Sequence, residues 1–173
     1  MYYALVSQCI DNFKMMDGWL DRAHEYAAAK RFDVNVLAAG RLAPDMQPFS
    51  YQVQSASDYL KAAAGWLTGQ QPPKYDDDEE TMEQLRARIR KTVAFAESVP
   101  EAAYAHANAR YLSLPWKPGK VIAAADYVKQ ITIPNVYFHL AMAYAILRHQ
   151  GVDIGKMDFL GQPNFIDSQP SER

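Results

Sequence analysis

A single cysteine, Cys9, stands among the 173 residues, so no disulfide can close within the chain. With no C-x-x-C pair, zinc ribbons and thioredoxin-like redox sites are excluded as well. Charge of neither sign dominates: 18 Lys and Arg face 20 Asp and Glu, a formal net charge of −2. That balance argues against a nucleic-acid binder and against a polybasic membrane-surface protein. Long apolar runs are missing too. The most apolar stretch, Val136 to Leu147, is interrupted by His139 and falls short of the about 20 residues a bilayer requires. The opening MYYALVSQCIDNFK has no basic n-region and reaches Asp11 before any cleavage pattern develops, so it does not read as a signal peptide. The expectation is a cytoplasmic domain with neither a membrane nor a nucleic-acid partner.

Period-two alternation is scarce, whereas helical periodicity recurs four times. Val6, Cys9, Phe13, Met16, Leu20, Ala23 and Ala27 follow each other at spacings of three and four, which predicts one long helix over residues 2–30. Met46, Phe49, Val53, Ala56, Leu60, Ala63 and Leu67 form a second seam, with Asp45 as N-cap and Gly69 as the residue past the C-terminus. Met82, Leu85, Ile89, Thr92, Ala96 and Val99 form the third. Asp78, Glu79, Glu80 and Glu83 lead it and Arg86, Arg88, Arg90 and Lys91 follow, an order that complements the helix dipole and reads as a solvated face. The fourth helix is expected to begin near Pro134 and end near Gly151. Eleven of the twelve residues from Val136 to Leu147 are apolar, so this helix is either central or part of a subunit interface.

Four such seams predict an all-α four-helix bundle. Between the second and third lies GQQPPKYDDD, long enough when extended to return along a helix of about 20 residues and set the two parallel. A wide antiparallel loop also fits. Residues 31–45 are expected to hold a short helical turn. Within residues 100–133, RYLSLPWKPGKVIAA suggests a small β-hairpin with its prolines at an edge. GVDIGKMDFLGQPNF reads as an ordered segment folded back on the bundle, residues 1–166 as a single domain, and residues 167–173 as a flexible tail.

Several catalytic patterns fail at a specific residue. His24-Glu25 begins a zincin motif, but Ala28 occupies the second histidine's place. Gly151 to Lys156 has one residue too few between its glycines for a phosphate loop, and Met157 follows the lysine. The acidic run Asp76 to Glu80 lacks the alternating oxygens and glycine of a calcium loop. No G-x-S-x-G elbow occurs. Cys9 reads as a small buried hydrophobe, and His149 as a favourable last-turn partner of a helix dipole. His139 stands apart because a buried imidazole needs partners for both ring nitrogens or a metal on one. Asn135 lies four residues earlier on the same face, and Asp45, Gln52 and Asp58 of the second helix are candidates to face it. On the residues alone, a buried polar network between the second and fourth helices is the plainer account.

Three stretches carry a family resemblance: RLAPDMQPFSYQVQSASDYLK, PPKYDDDEETMEQLRARIRKT and PNVYFHLAMAYAILRHQGVDIGKMDFLG. They resemble the DinB-related family of unknown function numbered nineteen ninety-three, within the DinB/YfiT superfamily, whose members are regarded as metalloenzymes. That resemblance implies an up-down-down-up bundle and a dimer. It also implies a divalent metal on three histidines, one from the second helix and an H-x-x-x-H pair from the fourth. His139 matches the second histidine of the pair, Asn135 stands where the first would be, and Gln52 is near the remaining position. Two of three ligands are therefore replaced by amides, which are poor partners for zinc or nickel. The resemblance implies a surviving pocket of Gln52, Asn135 and His139, with Tyr144, Arg148, Arg41 and Asp45 as polar neighbours.

Two functions compete on this basis. One is a dimeric module that binds a small molecule or a partner protein around a degenerate metal site. The other is a metal-dependent enzyme of the thiol or conjugate transferase or hydrolase type, in which His139 acts as base or holds a zinc or nickel ion weakly.

Overall fold

The computed structural model describes residues 1–166. Helix α1 (Tyr2–Lys30) runs as the first seam predicts and buries Val6, Cys9, Phe13, Met16, Leu20, Ala23 and Ala27 along one face. A 3-10 turn, Val34–Ala39, follows, capped by the Asp33 carboxylate on the Asn35 amide. Helix α2 is Phe49–Thr68 and ends on Gly69 at φ 77°, a left-handed conformation that glycine adopts without strain. Its start corrects the expected Asp45 cap. Pro48 precedes the first residue in extended conformation and no side chain caps the helix, while Asp45 lies exposed in the loop before it. The cause is Pro48 itself, which drives Gln47 away from helical geometry.

Helix α3 (Met82–Glu97) opens on a reciprocal capping box. The Thr81 hydroxyl accepts from the Gln84 amide, and the Gln84 side chain accepts from the Thr81 amide. Two 3-10 turns, Glu101–Tyr104 and Ala107–Ala109, lead into an antiparallel hairpin of β1 (Tyr111–Ser113) and β2 (Val121–Ala123), with Leu112 opposite Ile122.

Helical geometry then begins ten residues before Pro134. A single turn, α4 (Ala124–Tyr127), passes into a π-helical segment, Val128–Thr132, and on into α5 (Ile133–His149). Pro134 lacks an amide hydrogen, so the hydrogen-bond ladder is interrupted where the wide π turn gives way to α geometry. The last element, α6 (Lys156–Leu160), packs on α1, and the Trp19 indole donates to the Asp158 carbonyl at 2.9 Å. The segment after α5 thus folds back as expected. The tail expected over 167–173 lies outside the described residues.

Cross-helix contacts fix the directions. The Met82 amide meets Asn35 and the Phe49 amide meets Gly40, so α2 and α3 start at the same end. Arg88 of α3 reaches Gln54 and Asp58, about one and a half and two and a half turns into α2. Asp17 of α1 faces Arg90 while Lys14 faces Glu97, so α1 opposes α3. Gln52 pairs with His139 and Trp66 with Tyr127, so the π segment and α5 oppose α2. The bundle is up-down-down-up, and residues 70–81 return along it in extended form. That return presses on α2 at Gly65, where a Cβ would stand 2.9 Å from the Gln70 carbonyl oxygen.

One continuous apolar core joins these helices, with Phe13, Met16, Leu20, Phe49, Leu60, Leu85, Leu140 and Leu147 fully enclosed or nearly so. The charge run of α3 is solvated only in part: Glu83, Arg90 and Lys91 are exposed as expected, but Arg86 is buried and Arg88 is 0% exposed, which corrects the reading at those two. Nor is α5 enclosed on all sides. It buries Val136, His139, Leu140, Ala143, Ile146 and Leu147, while Phe138 is 54% exposed. No helix among the described residues is long and apolar enough to cross a membrane.

Candidate functional site

The periodicity of α2 and α5 turns Gln52 and His139 toward each other across the bundle. His139 Nδ1 lies 2.9 Å from Gln52 Oε1, and Gln52 Nε2 donates to the Gln47 carbonyl at 3.1 Å. A carbonyl only accepts, so it holds the NH2 end of the amide and leaves the oxygen for the imidazole. His139 must then carry its hydrogen on Nδ1, which leaves a lone pair on Nε2 in the neutral ring. Burial holds the His139 imidazole below its ordinary pKa, so the neutral ring predominates at pH 7. Tyr59 stacks on the ring at 5.9 Å, and Tyr51 and Phe138 meet it edge-on at 6.0 and 5.2 Å. The Tyr59 phenol is itself pushed up, by burial first and then by Tyr51 and Asp58.

Asn135 is half-buried, and its amide nitrogen donates at 2.7 Å to the Ile131 carbonyl at the π turn of its own helix. The other four predicted neighbours do not join the pair. Tyr144 packs between Trp19 and Phe159, with its hydroxyl on the Ile154 carbonyl. Arg148 donates to the Val152 carbonyl and faces Asp153, well along α5 from His139. Arg41 closes the loop before α2 on the Met46 carbonyl, and Asp45 is exposed in that loop. Asp58 pairs with Arg88 of α3 and with Lys61 rather than with His139.

A three-ligand metal does not fit these residues. Gln52 Oε1 accepts the imidazole N–H, and Asn135 donates through its nitrogen, so the donors these three side chains leave for a metal are one imidazole nitrogen, His139 Nε2, and one amide oxygen of Asn135. No group of three His, Cys, Asp or Glu side chains that could hold an ion is found among the described residues. Zinc and nickel sites of this class need more imidazole, thiolate or carboxylate than is present.

Beside the pair opens a cleft of about 420 Å³, within the range of small-molecule sites. Its walls are Tyr51, Tyr59 and Trp66 of α2, Tyr127 at the end of α4, Trp116 of the hairpin, and the returning segment at Pro72 to Lys74. Tyr127 is fully buried, and burial pushes its phenol well above the ordinary value. The Tyr127 and Thr132 hydroxyls face each other, and among the described residues neither makes a hydrogen bond of full geometry.

Behind the cleft sits a charged network that the sequence reading missed. The Arg88 guanidinium meets Asp58 at 2.8 Å, Asp77 at 2.9 Å and Glu79 at 3.1 Å, and donates to the Asp76 and Gln54 carbonyls. Lys61 shares Asp58 at 2.6 Å. Lys61 and Lys91 also lie over the Tyr75 ring at 4.4 and 4.2 Å. The network ties residues 75–79 to α2 and α3, and so holds the returning segment over the cleft. The one sequence signal was an arginine at position 88 adjoining the apolar seam beside Ile89.

The family model described as a domain of unknown function, DUF1993, matches residues 1–160. A crystal structure of a DinB family member protein from Shewanella denitrificans is 38% identical, with a TM-score of 0.91 over 96% of this chain and 95% of that chain. No match is found among curated proteins.

Proposed function

The chain belongs to the DUF1993 family and has a DinB-like helical bundle, and from that premise we propose that it binds a small organic molecule without a catalytic metal. The observation that carries this reading is the closed pairing of Gln52 with His139, with Asn135 tied to its own helix. Gln52 is satisfied by His139 and the Gln47 carbonyl and Asn135 donates to its own helix, so a single imidazole nitrogen, His139 Nε2, is left as a strong donor, too little for a zinc or nickel site. The aromatic cleft beside them supplies the ligand space. Under this reading the chain acts as a binding module and His139 holds α2 to α5.

The test is thermal unfolding of tag-free protein with and without added zinc or nickel. A metal that binds the folded state raises the melting temperature by mass action. The expected result is no rise for the wild type and a lower melting temperature for His139→Ala. A metal-dependent rise in the wild type that His139→Ala abolishes would overturn the reading in favour of the metal-dependent enzyme.

The same proposal includes a homodimer. The outer side of α5 carries Phe138 at 54% exposure, a large apolar side chain left in water on a helix whose one polar residue between Val136 and Leu147 faces inward. A second copy covering this side would remove it from water. Sedimentation at micromolar concentration should give a dimer, and Phe138→Glu a monomer; a wild-type monomer would contradict this.

A further inference from the structure

We propose that the cleft takes a planar aromatic carboxylate, with the ring between the tryptophan and tyrosine walls and the carboxylate toward Lys74. This rests on reading the cleft as a ligand site and adds the class of ligand. The shape argument comes first. Trp66 and Trp116 stand with ring centroids 6.2 Å apart, Trp66 and Tyr127 at 5.7 Å, and Tyr51 and Tyr59 continue the wall toward His139. Four partly exposed aromatic rings, Tyr51, Tyr59, Trp66 and Trp116, with buried Tyr127 behind them, surround about 420 Å³ and present faces and edges that favour a flat ring over a flexible aliphatic chain.

Charge selects the sign. The cleft wall carries Asp58, Lys61 and Lys74. Asp58 is already shared by Arg88 and Lys61 through one oxygen, with contacts of 2.8 and 2.6 Å, so it has little to offer a cationic ligand. Lys61 is likewise committed to Asp58 and the Tyr75 ring. Lys74 is exposed and has no carboxylate within ion-pair distance among the described residues. It is the cation on the wall whose charge is not answered. Asp76 to Glu80 follow on the same segment, but Asp77 and Glu79 turn to Arg88 and are answered there.

The experiment uses the full-length protein and four probes: 2-naphthoate, 2-naphthamide, 2-naphthylmethylammonium and cyclohexanecarboxylate. Quenching of Trp66 and Trp116 reads binding, and Trp19, packed against Tyr144 and Phe159 elsewhere, serves as internal reference. 2-Naphthoate should bind best. The amide and Lys74→Glu should each weaken it by roughly three- to fivefold, the scale of an exposed ion pair. Loss of the aromatic ring, in cyclohexanecarboxylate or in Trp116→Leu, should weaken it by roughly tenfold. Tighter binding of the ammonium, or equal binding of the acid and amide, would overturn the anion assignment while leaving a ligand site. Equal binding of cyclohexanecarboxylate would overturn the aromatic assignment. Failure of all four probes would overturn both the assignment and the ligand-site reading beneath it.

Discussion

Replacing Arg88 by methionine keeps most of the side-chain volume and removes the charge at the centre of the α2–α3 network. The consequence depends on which carboxylates are left stranded. Asp58 and Asp77 have side chains 46% and 59% exposed, so water can solvate them once the guanidinium is gone. Glu79 is 6% exposed and cannot be relieved in that way. Its remaining cation, Lys91, is 3.6 Å away and only partly compensates. Breaking a buried pair from one side costs about 3–5 kcal/mol, and with a single stranded acid the low end applies, about 3 kcal/mol. For a chain of this size that corresponds to a fall in melting temperature of about 6–12 °C. Urea unfolding monitored by far-UV circular dichroism measures the loss, provided the m-value is unchanged. The double variant R88M/E79Q removes the stranded charge and should recover much of the loss, a coupling of the kind a mutant cycle detects. A loss for R88M below about 1 kcal/mol, or a double variant no more stable than R88M alone, would refute the reasoning.

Other perturbations give equally specific outcomes. Because burial holds the His139 pKa below its unfolded value, the unfolded chain binds more protons between the two. Stability should therefore rise with pH through that window and be lost as pH falls from about 6.5 through the folded value, and His139→Gln should flatten the slope of urea stability against pH. Gln52→Leu strands the Nδ1–H of His139 and should cost about 1–3 kcal/mol in the same assay; an unchanged midpoint would show that the pair is not formed. Thr81→Ala breaks the capping box of α3 and should cost about 0.5–2 kcal/mol, with Thr81→Ser retaining most of the stability. The Cys9 thiol is buried and pushed up to about 11, so an aromatic disulfide reagent at pH 8 should react only as fast as the protein opens; rapid labelling of native protein would contradict its placement.

The helices were legible because their seams are long and their ends carry strong signals. The Thr81–Gln84 box that opens α3 went unread although its spacing is a helix-start signal, whereas Gly69 sits where a glycine has few other uses. The short hairpin around Gly119 was readable for the same reason. The start of α2 was misread because Asp45 has the right chemistry for a cap, whereas the backbone restriction imposed by Pro48 decides the boundary. The early start of the last long helix, through α4 and the π turn, leaves little trace in a period count, since a π turn shifts the phase of the pattern.

The candidate site divides along a similar line. His139 was identifiable as the one polar group in the apolar stretch of its helix, whereas the second helix offered Asp45, Gln52 and Asp58 alike and only the family resemblance singled out Gln52. The Arg88 network was not, because helical spacing alone does not distinguish an arginine solvated on a surface from one neutralised by acids on a returning segment. Only that segment's path brings Asp77 and Glu79 to it. The aromatic cleft is spread over α2, α4, the hairpin and residues 72–74, a combination that no single stretch of sequence displays.

The most direct test of the central claim, that His139 is closed into a pair with Gln52 and holds no metal, is long-range proton–nitrogen NMR of the imidazole before and after equimolar zinc. The account predicts a neutral ring protonated on Nδ1, with both nitrogen shifts unmoved by the metal. A ring protonated on Nε2, or a stoichiometric zinc-induced shift of either nitrogen, would contradict it.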